Sequence, residues 1–354
     1  MTDRGFWNNL DKPIIGLAPM DGVTDAAFRN MVCKYSKPSV VITEFTNVEG
    51  LARGSVEMLK AFIYDEIQRP IVAQIYDTEV DSFYKATVML CAMGFDGVDI
   101  NMGCPAKKVE QKGAGAGLIQ TPALAKEIIN ACKKAITDWA NGISMLDAGV
   151  HPDIVSAVDI MKKNGLFGAC IDPVRRNLPI SVKTRTGYNK IVTEDWINHL
   201  IDCGISNISL HGRTLKQGYG GEADWDEIGK AAILCRNAGI GILGNGDVRS
   251  MEQALKYCEQ YGVDGILIGR AVMGAPWFFG GDEPDISGRL KILLQHARYF
   301  TEMDYASFHN IKKHLAWYCK GFEGAGEIRM KLMQSINLAD VEAIVEPLLG
   351  DFAS

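Results

Sequence analysis

Eight places in this 354-residue chain end a short apolar run on side chains that bind anions or move protons. In chain order they are Pro19-Met20, Glu44, Gln74, Asn101 followed by Cys104, Lys183, His211-Gly212-Arg213, Asn245-Gly246-Asp247 and Gly269-Arg270. The last two read as a phosphate cradle. Glycine lets backbone N–H groups approach an anion, and a guanidinium grips it through two parallel bonds. A lysine that ends a buried run needs an anionic partner or a lowered pKa. Lys183 therefore has two chemical readings: a Schiff-base amine of the aldolase kind, or a cation set against the edge of a reduced flavin, where negative charge collects. Gln74 offers a donor and an acceptor together, which suits the reading of a flavin edge. Cys104 stands between Gly103 and Pro105, whereas the other cysteines fall in helical or loop patterns and read as small core hydrophobes. A thiol so placed serves as a nucleophile or as a general acid.

These residues act together only if the fold converges on them. The runs at 14–20, 39–45, 71–77, 97–103, 180–187, 207–213, 241–247 and 265–271 are nearly continuous in apolar and β-branched residues, as parallel strands buried on both faces are. Helical patterns at 26–35, 79–93, 123–136, 194–203, 225–238 and 250–261 separate them, several opened by Thr, Asp or Pro. Eight βα units in series predict an α/β fold, a (β/α)8 TIM barrel rather than a doubly wound sheet. Catalytic groups then belong at the C-terminal ends of the strands.

Two stretches stand outside that alternation. Residues 137–178 are too many for a tight helix-to-strand connection. They predict a structural or oligomerisation elaboration, helical at 151–164, on the barrel's N-terminal face. After the turn-rich 280–285, amphipathic patterns at 287–302, 306–320, 326–337 and 339–349 predict a small all-helical domain over 283–354, which leaves 1–282 as the barrel. Within 287–331 eight lysines and arginines stand against four acidic residues. A charge run is usually a solvated face, but this one is basic inside an acidic chain.

The whole chain carries a formal net charge of −6. That argues against a protein that coats nucleic acid non-specifically, though not against one with a local basic face. Nine scattered cysteines without a C-x-x-C spacing argue against a disulfide framework or a zinc cluster and point to a reducing compartment. No signal-peptide pattern and no apolar stretch of about 20 residues is present. The expectation is a cytoplasmic protein with no membrane span and no metal.

Taken in order, the motifs resemble those of the tRNA-dihydrouridine synthase family. They are Ala18-Pro19-Met20-Asp21-Gly22-Val23-Thr24-Asp25, Asp99-Ile100-Asn101-Met102-Gly103-Cys104-Pro105 and Val182-Lys183-Thr184-Arg185-Thr186-Gly187. His211-Gly212-Arg213-Thr214 with Gln217-Gly218-Tyr219, Gly244-Asn245-Gly246-Asp247 and Ile268-Gly269-Arg270-Ala271 follow. The tail adds Lys312-Lys313-His314 with Trp317-Tyr318. The resemblance implies an FMN enzyme that uses NADPH to reduce one uridine of a tRNA to dihydrouridine. It implies that Pro19, Met20, Gln74, Lys183, His211, Asn245, Gly246, Asp247, Gly269 and Arg270 hold FMN, that Cys104 donates a proton, and that Asn101 contacts uracil or flavin. Lys107, Lys108, Arg185, Arg213, Lys312 and Lys313 are the expected contacts to tRNA, and a monomer is the expected assembly. The segment 137–178 is longer than the family's usual connection. The rival reading is an FMN barrel acting on a free pyrimidine, of the dihydroorotate dehydrogenase kind.

Overall fold

A computed structural model describes residues 4–169, 174–218 and 220–351; Cys170 and Tyr219 lie outside them. Eight strands form the barrel: β1 (Ile14–Leu17), β2 (Val41–Ile42), β3 (Ile71–Tyr76), β4 (Gly97–Met102), β5 (Ile180–Gly187), β6 (Asn207–Thr214), β7 (Gly241–Asn245) and β8 (Gly265–Ile268). Every neighbouring pair is parallel, and β1 pairs with β8 while β2 pairs with β3, so the sheet closes. The fold is a (β/α)8 barrel.

Side chains two apart on a strand share a face, and register decides which of them meet. Gln74, Asp99 and Ser181 are partners across β3, β4 and β5. One step toward the C-terminal ends, Asn101 pairs with Lys183 and Lys183 with Ser209. A further step aligns Arg185, His211 and Asn245. The inward positions therefore stack polar groups in rows that climb to the rim. The alternate positions, Val98, Ile100, Val182 and Ile208, face outward into the apolar layer beneath the helices. Elsewhere inside the barrel Ile14, Ile42, Val72, Leu243 and Leu267 make a small apolar cluster with Trp7, which the 3-10 helix Gly5–Asn9 carries in at the N-terminal end.

The second unit departs from the pattern. After β2 the chain forms the short helix Val48–Ala52 and the 3-10 helix Val56–Phe62 where a full barrel helix belongs. The long connection makes up the difference. Its helix Pro152–Lys163 buries Ile154 and Val158 in the main core and packs on that 3-10 segment. Its strand Leu166–Ala169 runs parallel to Tyr64, with Tyr64 N donating to Leu166 O and Gly168 N to Tyr64 O, both at 3.0 Å. The connection is thus part of the barrel's shell.

The C-terminal helices Ile286–Met303, Lys312–Tyr318, Ala325–Gln334 and Leu338–Asp351 share a second apolar cluster. It includes Ala26, Ala27 and Met31 of the barrel's first helix, Ala26–Tyr35. Among the described residues no helix is long and apolar enough to cross a membrane. No group of three His, Cys, Asp or Glu among them is placed to hold a metal ion.

Candidate active site

A cavity of about 1620 Å³ opens at the C-terminal ends of the strands. One side of it is cationic. Lys183 Nζ donates to Asn245 Oδ1 at 3.2 Å, and Asn245 Nδ2 donates to the Leu267 carbonyl at 2.8 Å, so β8 fixes the amide that holds the ammonium. Burial and then Arg185 pull the Lys183 pKa down to about 8, against the opposing charge of Asp99. His211 is held neutral, its pKa lowered to about 2 by burial and by Arg185, Lys183, Arg213 and Arg270 around it. Lysine and three arginines thus crowd one wall.

Asp247 organises two of those arginines. Arg213 grips it bidentately, Nη1 to Oδ1 at 3.0 Å and Nη2 to Oδ2 at 2.6 Å, and Nη2 also donates to Gly221 O at 2.6 Å. Arg270 Nη2 donates to Asp247 Oδ1 at 2.9 Å. Burial pushes the Asp247 pKa up, but the bonds from Arg213 and from Ala223 N, with both arginine charges, bring it below the usual carboxylate range. Its neighbour Gly246 has φ +135°, and an added Cβ would lie 2.6 Å from Ala223 Cβ and 3.2 Å from the His211 ring. Only glycine fits there, and its bare backbone faces the cavity.

The thiol stands on the loop after β4. Cys104 is 7% exposed and packs with Val109 and Ala114, flanked by Phe45 and Tyr76. Burial raises its pKa, the Ala106 N–H lowers it, and Asp21 raises it further, so the sulfur keeps its proton at neutral pH. The loop is clamped from below: Asn101 Oδ1 accepts from Gly103 N at 3.0 Å and Cys104 N at 2.8 Å.

Most of the expected site residues meet in this cavity. Pro19, Met20, Asn101, Cys104 and Lys183 line it, as do His211, Asn245, Gly246, Asp247, Gly269 and Arg270. Gln74 does not reach it. Its side chain is fully buried behind Asn101, donating to Asp99 Oδ2 at 2.7 Å and accepting from Asn101 Nδ2 at 2.9 Å. Arg185 and Arg213 line the cavity but are only 4% and 3% exposed. Arg185 holds Gly103 O at 2.6 Å, so both arginines work inside the barrel, away from an outer face that could follow a tRNA backbone. Lys107 and Lys108 are exposed on the short helix Lys107–Glu110 beyond the cysteine loop. Lys312 and Lys313 are half-buried, and a Cβ on Gly22 would lie 3.0 Å from Lys313 Nζ, which puts that lysine against the loop after β1. Glu44 is not among the lining residues. Burial and Asp25 push its pKa to about 7 beside the buried Arg29.

Three participants were given no role in the reading of the motifs. Asp21 brings a carboxylate to the wall near Cys104, Phe45 lines the cavity, and Asp99 lies beneath Asn101. Asp99 had a signal, since it is two residues from Asn101 on the same strand and so faces inward with it. The basic stretch of the helical region is partly neutralised. Arg298 bonds Glu342 at 2.8 Å and Glu346 at 2.9 Å, and Lys331 pairs with Glu327 at 2.8 Å.

A (β/α)8 barrel that gathers cations and a thiol into one cavity at the C-terminal ends of its strands has the build of an enzyme active site. The family model "Dihydrouridine synthase (Dus)" matches residues 16–140 and 158–351, and the chain belongs to that family of oxidoreductases. It is 31% identical over 353 residues to a probable tRNA-dihydrouridine synthase of Staphylococcus aureus (strain COL), covering 97% of this chain and 95% of that one. It is 31% identical over 356 residues to the probable tRNA-dihydrouridine synthase 2 of Bacillus subtilis (strain 168), covering 98% and 97%. Among solved structures it is similar to a DHODH from Eimeria tenella crystallised with ferulenol, at a TM-score of 0.44 and 12% identity over 73% of this chain and 76% of that one. The break in the family match falls inside the long connection that completes the shell.

Proposed function

We propose that this chain reduces the C5=C6 bond of a uridine in tRNA to 5,6-dihydrouridine, with FMN as its flavin and NADPH as reductant. Use of a flavin goes with the family, and the cavity fits one. One side of the cavity carries Lys183, Arg185, Arg213 and Arg270 with Asp247 as the carboxylate that pairs two of them, a local excess of positive charge that suits a phosphate and an electron-rich ring. Gly246, Gly269 and Arg270 would hold the phosphate, and Lys183, Asn245 and His211 the ring. When bound, the flavin supplies hydride to C6 of the uracil, whose C5=C6 bond is polarised by the C4 carbonyl.

The chain's own work is the proton and the placement. Cys104 Sγ–H delivers a proton to C5, and its raised pKa keeps that proton in place until it is needed. Lys183, with a pKa near 8, stays largely ammonium at neutral pH and balances negative charge beside it. The base must leave the tRNA stack to enter, at a cost of a few kcal/mol. Contacts from Lys107, Lys108, Lys312, Lys313 and the helical region 283–354 to phosphates would offset that cost. On this reading 1–282 is the catalytic domain and 283–354 the tRNA-binding domain.

The observation that carries this reading is the protonated thiol sharing one cavity with the cationic wall. Cys104→Ala tests it. The variant should keep its flavin absorbance but lose about 10²- to 10⁴-fold in the single-turnover rate of flavin oxidation by tRNA. An unchanged rate removes Cys104 as the proton donor. Turnover of a free pyrimidine without turnover of tRNA would transfer the chain to the rival reading.

A further inference from the structure

We propose that Asp99 is a positioning residue for the proton donor: through Gln74 and Asn101 it sets which way the amide clamping the Cys104 loop points. The chain of bonds has a direction. Asp99 accepts from Ser181 Oγ at 2.6 Å on Oδ1 and from Gln74 Nε2 at 2.7 Å on Oδ2. An ionised carboxylate can only accept, so Gln74 must turn its NH₂ toward Asp99 and its carbonyl away. That carbonyl accepts from Asn101 Nδ2 at 2.9 Å. Asn101 is then left with only its oxygen for the loop, where it meets the N–H groups of Gly103 at 3.0 Å and Cys104 at 2.8 Å. If either amide turned over, N–H would face N–H.

Position and burial make the relay strict. Gln74, Asp99 and Ser181 are register partners on three adjacent strands, and Asn101 is the next inward residue on β4. All four side chains are buried, and neither Asp99, Gln74 nor Ser181 lines the cavity. A buried donor facing a donor costs the full desolvation of both groups, so one orientation dominates. Burial raises the Asp99 pKa to about 6, with the bonds from Ser181 and Gln74 and the charge of Lys183 opposing, which leaves it ionised at neutral pH. Asp99 acts on the reaction only through the loop it orders.

The inference rests on Cys104 being the proton donor, but its test does not need tRNA. Iodoacetamide modification of Cys104 is followed by mass spectrometry of the peptide that carries it, in the purified full-length protein. Asp99→Leu frees Gln74 and Asn101 to turn. The expected rate at Cys104 rises about tenfold, the equivalent of one hydrogen bond's ~1.4 kcal/mol. The exchanged pair, Asp99→Asn combined with Gln74→Glu, restores the polarity. Ser181 then donates to the oxygen of the introduced amide. That amide's NH₂ and Asn101 Nδ2 each donate to the introduced carboxylate, and the Asn101 oxygen stays on the loop. The modification rate of this double variant should fall within threefold of the original chain. An Asp99→Leu protein modified at the original rate, or an exchanged pair that is modified fast or fails to fold, overturns the relay. Failure of the unaltered enzyme to reduce tRNA would instead count against the proposed function and leave this result standing.

Discussion

Asp247 is a carboxylate set among the cations of one cavity wall, and Arg213 is the reason. Arg213 is 3% exposed, and a guanidinium that far from water needs a partner of opposite charge. Asp247 supplies it and at the same time draws Arg270 to the same oxygen. Its role is to aim two cations, and on the proposed reading it would serve the flavin phosphate through them. Asp247→Asn keeps the shape but loses a charge and one of the two acceptors. Losing a charge-assisted bond worth roughly 1.5–3 kcal/mol, FMN affinity should drop about 10- to 100-fold, as read by quenching of flavin fluorescence. Equal affinity in the two proteins would mean that Asp247 does not aim the cations. Such pairing, between residues 34 positions apart in the chain, could not be read from composition or spacing. Strand-end position was enough to place Cys104, Lys183, His211 and Asn245 at the cavity. It could not show that Gln74 turns its amide to Asp99, because a side chain's rotamer follows from a neighbouring strand's register.

At the level of elements, all eight barrel strands were legible because parallel strands buried on both faces are written as short β-branched runs. Their ends were less so. The run at 14–20 stops as a strand at Leu17, since Pro19 has no N–H and the Met20 N–H bonds the Thr24 hydroxyl at 2.9 Å. The helix inside the long connection was also readable from its period, whereas the strand Leu166–Ala169 was not. Four residues with a glycine among them show no alternation, and their pairing partner Tyr64 lies about a hundred residues away. What that connection does therefore became visible only in three dimensions: it replaces the missing second helix. Ile154 and Phe167 carry that role and are fully buried. Ile154→Ala and Phe167→Ala should each destabilise the barrel by roughly 2–5 kcal/mol in urea unfolding. Were the connection an appendage that only sits on the shell, both would stay within about 0.5 kcal/mol of the original.

Across the whole molecule, the helical region meets the barrel through a histidine pair in an apolar setting. His314 packs against Phe28 of the first barrel helix at 4.8 Å, against His296 at 5.1 Å and against Trp317 at 5.0 Å. His296 Nδ1 reaches the Tyr318 hydroxyl at 3.1 Å, while among the described residues neither nitrogen of His314 has a partner. Burial lowers the pKa of His296 to about 3 and that of His314 well below its ordinary value, with His296 and Lys313 adding to the second shift. Each ring is neutral in the folded chain and binds a proton near pH 6.5 once unfolded. Stability from the neutral rings is therefore complete above about pH 6.5 and is lost as pH falls toward the depressed folded values, by about 1.4 kcal/mol per pH unit for each ring. Glu44, raised to about 7, works the other way, because the folded state takes up its proton first. A difference between two proteins removes that opposing contribution. His314→Leu fills a similar volume without burying unsatisfied nitrogens, so it should be the more stable protein at pH 7. Its advantage should then widen by about 1.2 kcal/mol between pH 6 and pH 5, as measured by urea unfolding. A constant gap over that interval would mean that His314 is charged in the folded chain, and the helical region would then have to meet the barrel through a solvated contact rather than a dry one.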